Sequence, residues 1–200
     1  MSAPQLILIG GSAGSLDALR ALLPALPAAF LPALVVVTHR APDSRWLAAI
    51  LQDDCPLPVR EVDDKDPIAG GCVHVAPADY HLLIDGHSFA LSTDDPVLFS
   101  RPSIDVTFES AADARGAAVT GIVLTGANRD GAAGLRRIVD RGGRAIVQDP
   151  ATAEVAAMPA AALHAVPEAQ RLALAGISAA LQAWSAPAAV APRPPRSGRT

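Results

Sequence analysis

The sequence predicts a doubly wound α/β fold: a mostly parallel sheet with helices on both faces and an appended antiparallel hairpin. Three observations carry this. Short, largely apolar strand-like runs at 5–10 and 33–38, and again within 119–125 and 144–148, end at glycines or polar loops, as buried strands do. Stretches of helical period separate them. A turn, Asp85-Gly86-His87, sits between two further strand-like runs, as in a hairpin.

The elements follow in order. Leu6-Ile7-Leu8-Ile9 reads as the first strand, stopped at Gly10-Gly11. Residues 15–26 read as a helix, with Leu16, Leu19, Leu22, Leu23 and Leu26 on one face and Pro24 near its end. Ala33 to Thr38 is the second strand and His39 follows it, so strand, helix and strand form a βαβ unit with parallel strands. Ser44 to Leu51 reads as a short helix and Val59 to Val62 as a strand. Cys72–Ala76, His81–Ile84 and Ser88–Ser92 are short strands, and this middle portion is expected to be antiparallel. A helix spans Ser103 to Ala114, with Ser103 as its N-cap. Val119–Thr125 is a strand, Gly126–Gly131 a loop, Ala132–Arg141 a helix stopped by Gly142-Gly143, and Arg144–Gln148 a strand. One or two short helices reach Ala165, and Glu168 to Trp184 reads as a final amphipathic helix. The Pro- and Arg-rich stretch beyond it lacks apolar periodicity. We therefore expect one folded domain, 1–184, and a disordered tail, 185–200.

The 200 residues suffice for one domain with a sizeable core. Aromatics are only 4%, so packing rests on aliphatic side chains. The formal net charge of −4 offers no broad basic surface for nucleic acid. The N-terminus lacks the basic region of a signal peptide, and no apolar run approaches the ~20 residues of a membrane span. A cytoplasmic location without membrane insertion is expected, with Cys55 and Cys72 as free thiols. His74, His81, His87 and His164 show no metal-ligand spacing, so neither metal nor cofactor is expected.

In doubly wound folds the ligand site lies at the carboxyl ends of the strands. Three residues fall there: Ser12 after the first strand, His39 after the second and Asp130 in the loop after 119–125. They supply a nucleophile, a base and an orienting carboxylate, the division of labour of a serine hydrolase. Gly10-Gly11-Ser12-Ala13-Gly14 also matches G-x-S-x-G, with small neighbours that permit a sharp turn and leave the Ala13 N–H free for an oxyanion. The chain order Ser…His…Asp departs from the Ser…Asp…His order of α/β-hydrolases. Taken singly, each residue has a structural alternative: Ser12 as a helix N-cap, His39 bonded to backbone, and Asp130 capping the helix that starts at Gly131. The loop could instead cradle a phosphate, although Ser12 stands where G-x-G-x-x-G requires glycine. On these residues alone, a hydrolase and a small-ligand-binding module both stay open.

Six ordered blocks resemble the catalytic domain of the CheB-type chemotaxis-receptor protein-glutamate methylesterases, over about residues 5–184. Ile9-Gly10-Gly11-Ser12-Ala13-Gly14-Ser15 resembles the family's nucleophile loop, I-G-A/G-S-x-G-G. Val37-Thr38-His39 resembles the strand ending in the catalytic histidine. Cys72 to Pro77 with Tyr80-His81-Leu82, and Arg101-Pro102-Ser103-Ile104-Asp105, resemble two further blocks. Leu124 to Gly134 resembles L-T-G-M-G-x-D-G-A-x-G, and Gln148 to Ala153 with Met158-Pro159 the last. The resemblance implies Ser12 as nucleophile, His39 as general base, Asp130 as its orienting acid, and an oxyanion hole from the amides near Ala13 and Ala127. It implies demethylation of glutamate methyl esters on the cytoplasmic helices of chemoreceptors, with glutamine deamidation as a related activity.

Several positions depart from the pattern. Ala127-Asn128 replaces the usual Met-Gly, Ser15 stands for a glycine, Thr38 precedes His39 where glutamine is frequent, and Arg40 follows it. The first strand begins almost at Met1, so no attached receiver domain is expected. These departures keep two alternatives in view: a non-catalytic receptor-binding scaffold of the same fold, and a small-molecule esterase. His81 is expected to be structural, and Arg101 to bond carbonyls or a carboxylate near the Asp130 loop.

Overall fold

A computed structural model describes residues 6–44 and 46–185. Its sheet of seven parallel strands grows outward in both directions from the first apolar run. In chain order the elements are β1 (Leu6–Gly11), α1 (Ser15–Leu22), β2 (Ala33–Thr38), α2 (Leu47–Asp54), β3 (Val59–Glu61), β4 (Val73–Val75), β5 (His81–Asp85), β6 (Ser88–Ser92), α3 (Ile104–Arg115), β7 (Val119–Val123), α4 (Ala132–Asp140), β8 (Arg144–Gln148), α5 (Ala157–Ala165), β9 (Gln170–Leu172) and α6 (Leu174–Ser185). The strand order is β3-β4-β2-β1-β7-β8-β9, and β5 pairs with β6 as a separate antiparallel hairpin. This is the predicted fold class.

Alternation along β1 and β2 divides the core into two layers. Leu6, Leu8, Val35 and Val37 face Ile104 and Phe108 of α3, Leu135 and Ile138 of α4, and Met158 and Ala162 of α5. Ile7, Ile9, Leu34 and Val36 face Leu19 and Leu22 of α1, Leu51 of α2, and Ile177 and Leu181 of α6. Every residue of β1 and β2 is buried, which accounts for their continuous apolar character. The hairpin joins the α3 layer: Thr107 Oγ1 donates to the Leu82 carbonyl at 2.8 Å, and the Ile84 N–H donates to Ser110 Oγ at 3.0 Å.

Four expectations are corrected. The helix read over 168–184 is a strand followed by a shorter helix, because 170–172 pairs in parallel with the open edge of β8. Within the middle portion only β5 and β6 are antiparallel; β3 and β4 extend the main sheet. The helix read over 15–26 gives way at Leu23 to a turn of 3-10 helix, where Pro24 cannot donate to the ladder. The helix read over 44–51 begins at Leu47 and runs on to Asp54. Both cysteines are buried and free. The tail was expected over 185–200; Ser185 instead ends α6, and residues 186–200 lie outside the described ones.

The direction of chain growth places the functional loops. From β1 the chain moves to β2 and β4 on one side, then returns to β7 and β8 on the other. The order therefore reverses at β1, and the loops leaving β1, β2 and β7 meet at one crevice.

Candidate active site

The loop after β1 is a tight turn. The Ser12 N–H donates to the Thr125 carbonyl at 2.9 Å, and the Ser15 N–H closes the turn onto the Ser12 carbonyl at 2.9 Å. Gly14 has φ 75°, a left-handed conformation that favours glycine, and α1 starts at the next residue. Gly14 holds the N-cap position with no side-chain bond, so Ser12 is not the cap of this helix. Its hydroxyl is half-exposed and makes no hydrogen bond among the described residues. The site of Gly11 is equally tight: a Cβ there would lie 2.7 Å from the Cβ of Ser15.

His39 leaves β2 beside this turn, its backbone N–H donating to the Gly11 carbonyl at 3.3 Å. The ring reaches across to the β7 loop, where Nε2 lies 2.7 Å from Asp130 Oδ2. An ionised carboxylate can only accept, so Nε2 is the donor of this pair, and in the neutral ring Nδ1 is the acceptor. Asp130 is fully buried and accepts three further hydrogen bonds. They come from Ser103 Oγ at 2.9 Å, the Ile104 N–H at 2.7 Å and the Asp105 N–H at 2.9 Å. Burial alone would raise its pKa, but the bonds from His39 and the first turn of α3 outweigh it and hold the carboxyl below its usual range. Asp130 thus caps α3, not the α4 that follows it. The α4 N-terminus is capped by Asp105, whose Oδ1 accepts from the Gly131 and Gly134 N–H groups at 2.8 and 2.7 Å.

Ser12 and His39 line one cavity of about 340 Å³ with Thr38, Arg40, Ser44 and an apolar wall that includes Leu16, Trp46 and Ile50. The Arg40 side chain is buried, paired with Glu61 at 2.8 Å and bonded to the carbonyls of Ser44 and Ala76. Among the described residues, neither the Ala13 nor the Ala127 N–H has a hydrogen-bond acceptor. Asn128 Oδ1 accepts the Asp130 N–H at 3.0 Å, which ties down the loop where glycine was expected. Ala127 and Arg129 are exposed beside it.

His81 is buried and structural: its Nδ1 accepts the Ser103 N–H at 3.2 Å, and its Nε2 bonds the Asp95 carbonyl at 3.1 Å. Arg101 does bond a carboxylate and carbonyls, those of Asp79, Thr93 and Asp94. Sequence reasoning assigned no site role to Asp105, Thr125 or Gln148. All three lay within the matched blocks, and that was their only signal.

A family model described as CheB methylesterase matches residues 7–181. A Leptospira interrogans protein, provisionally named a protein-glutamate methylesterase/protein-glutamine glutaminase, is 45% identical over 80% of this chain and 84% of its own length. Proteins named protein-glutamate methylesterase/protein-glutamine glutaminase from a Nocardioides species and Hahella chejuensis are 42% and 40% identical over 78% and 91% of this chain. The matches span about half of those two longer relatives, 44% and 52%. The crystal structure of the Thermotoga maritima CheB methylesterase catalytic domain superposes with a TM-score of 0.86 at 29% identity, covering 92% of this chain and 99% of that one.

Proposed function

The chain belongs to the CheB methylesterase family, and on that premise we propose that it is a protein-glutamate methylesterase acting on chemoreceptors through Ser12, His39 and Asp130. The observation that carries this reading is the 2.7 Å bond between His39 and a fully buried Asp130, made from the same crevice that Ser12 enters.

His39 Nδ1 takes the proton of Ser12 Oγ, which attacks the carbonyl carbon of the glutamyl methyl ester. Asp130 fixes the tautomer through Nε2 and stabilises the imidazolium. The two ring nitrogens thus exchange the roles they have in the familiar serine protease arrangement. The developing oxyanion is received by the Ala13 and Ala127 amides, each worth about 3 kcal/mol in such sites. The imidazolium passes its proton to the departing methoxide, and methanol leaves. Water, deprotonated by His39, then attacks the glutamyl-Ser12 ester, regenerating the serine and releasing the glutamate carboxylate. The same steps on a glutamine side chain release ammonia, in keeping with the glutaminase part of the relatives' names.

The test is methanol release from methylated receptor cytoplasmic fragments. Wild type is expected to release it and Ser12→Ala to fall to background. Equal rates for the two proteins would overturn the assignment.

A further inference from the structure

Thr125 follows β7 and enters none of the steps above, yet its backbone and its hydroxyl both bond the loops around the crevice. It is 1% exposed. Its carbonyl accepts the Ser12 N–H at 2.9 Å. Its Oγ1 donates to the Ala13 carbonyl at 2.9 Å and accepts the Val155 N–H at 2.9 Å. Its own N–H donates to Oε1 of Gln148, which is also 1% exposed, at 2.9 Å. Gln148 Nε2 in turn donates to the Thr152 carbonyl at 3.2 Å. The next residue continues the stitching: the Gly126 N–H donates to the Val155 carbonyl at 3.1 Å, and the Gly126 carbonyl accepts the Met158 N–H at 2.9 Å.

One hydroxyl therefore bonds two loops. It holds the peptide between Ala13 and Gly14 by its carbonyl, and it holds the segment before α5 by the Val155 amide. The Ala127 amide lies two residues beyond Thr125 on the same backbone. We infer that Thr125 is a positioning residue whose hydroxyl sets the separation of the Ala13 and Ala127 amides, and so the fit of the crevice to the tetrahedral intermediate. The inference rests on the proposed esterase reading. Its physical basis is that a donor pair stabilises an oxyanion only when both amides already sit where the charge develops. The ground-state ester, with a planar carbonyl and less charge on oxygen, depends much less on that separation.

The variants are Thr125→Val, nearly isosteric without the hydroxyl, and Thr125→Ser, which restores the hydroxyl without the methyl. Each is assayed in the full-length chain with Ser12→Ala as control, for methanol release and for the rate at which Ser12 is labelled by a fluorophosphonate. Thr125→Val is expected to lower kcat about 10- to 100-fold, the penalty of a small misplacement of reacting groups. KM is expected to stay within about twofold of wild type. Labelling should slow in parallel, because the phosphonylation transition state uses the same amides. Thr125→Ser is expected to recover most of both rates. If Thr125→Val does not fold, Thr125→Ala takes its place. Wild-type kcat in the hydroxyl-free variant, with Ser12→Ala inactive, overturns the role of Thr125 and leaves the esterase reading standing. Serine failing to rescue, or a loss confined to KM, overturns it equally. Full methanol release by Ser12→Ala instead overturns the underlying reading.

Discussion

Asp105 and Asp130 cap each other's helices. Asp130, which precedes α4, accepts from the Ile104 and Asp105 N–H groups at the start of α3; Asp105, in the first turn of α3, accepts from the Gly131 and Gly134 N–H groups at the start of α4. Two carboxylates are thereby buried side by side, each facing the positive end of the other's helix. The exchange locks the Asp130 loop to α3 and leaves Oδ2 of Asp130 turned to His39.

The two carboxyls divide this arrangement unequally, which gives a pH signature. Burial, with the neighbouring Asp130 charge, pushes Asp105 from 3.8 up to about 6. A pKa raised on folding contributes stability that is complete below the unfolded value and is lost as pH rises through the folded one. Between about pH 4 and 6.5, Asp105 is thus expected to cost the fold on the order of 3 kcal/mol. Asp130, with its pKa lowered, contributes stability above its unfolded value of 3.8 that is lost as the pH falls through its folded value. Asp105→Asn keeps the acceptor for the Gly131 and Gly134 amides and removes the charge. Urea unfolding across this range should show the decline in wild type and a flatter profile in the variant; identical profiles would refute the assignment.

Asp130→Asn tests the acid. An amide cannot accept from all four donors that now surround the carboxylate, and it no longer balances an imidazolium. Methanol release is expected to fall about 10⁴-fold. Unmet buried donors should cost a further 1–3 kcal/mol, roughly, in thermal or urea unfolding. A kcat within tenfold of wild type would exclude the orienting role.

Gly134→Ala probes the contact that makes the crossed caps possible. A Cβ there would lie 2.5 Å from Phe108 Cβ and 3.0 Å from the Asp105 carbonyl oxygen. Alanine gains about 1 kcal/mol of helix propensity, but overpacking a close helix contact costs roughly 1–3 kcal/mol, and the contact is with rigid atoms. A net loss of stability is expected, accompanied by lower activity as the Asp130 loop shifts. A stabilised, fully active variant would contradict this.

Trp46→Ala addresses the rim of the cavity. Trp46 is 74% exposed, so stability should change by no more than about 0.5 kcal/mol. An exposed indole beside Leu16 and Ile50 is suited to a protein substrate. Truncation is expected to raise KM for methylated receptor about 5- to 30-fold, the equivalent of a contact worth 1–2 kcal/mol. Hydrolysis of a small ester such as p-nitrophenyl acetate should be unchanged. Equal loss on both substrates would place the effect on the chemistry instead.

What the amino-acid order determined alone was whatever is signalled locally. Continuous apolar runs marked β1 and β2, because a strand buried on both faces has no polar side to show. Ser103 was legible as a cap because a cap precedes its own helix, and its Oγ accepts the Val106 N–H at 3.4 Å. Ser12, His39 and Asp130 were legible as neighbours because each follows a parallel strand, and such strands present their ends to one crevice. Tertiary structure alone decided the rest. β9 lay hidden inside a helical pattern until the open edge of β8 offered it a ladder. The structural alternative for Asp130, capping the helix beside it, is not what forms: it accepts from the start of a helix 26 residues away in the chain. Asp105 has its partners 25 or more residues distant, and Thr125 bonds across as many as 112 residues to Ala13. Hydrogen bonds over such separations depend on how closely α3 meets α4 and how the loops after β1 and β7 abut. Those distances arise from the packing of the whole core, and no local stretch of sequence carries them.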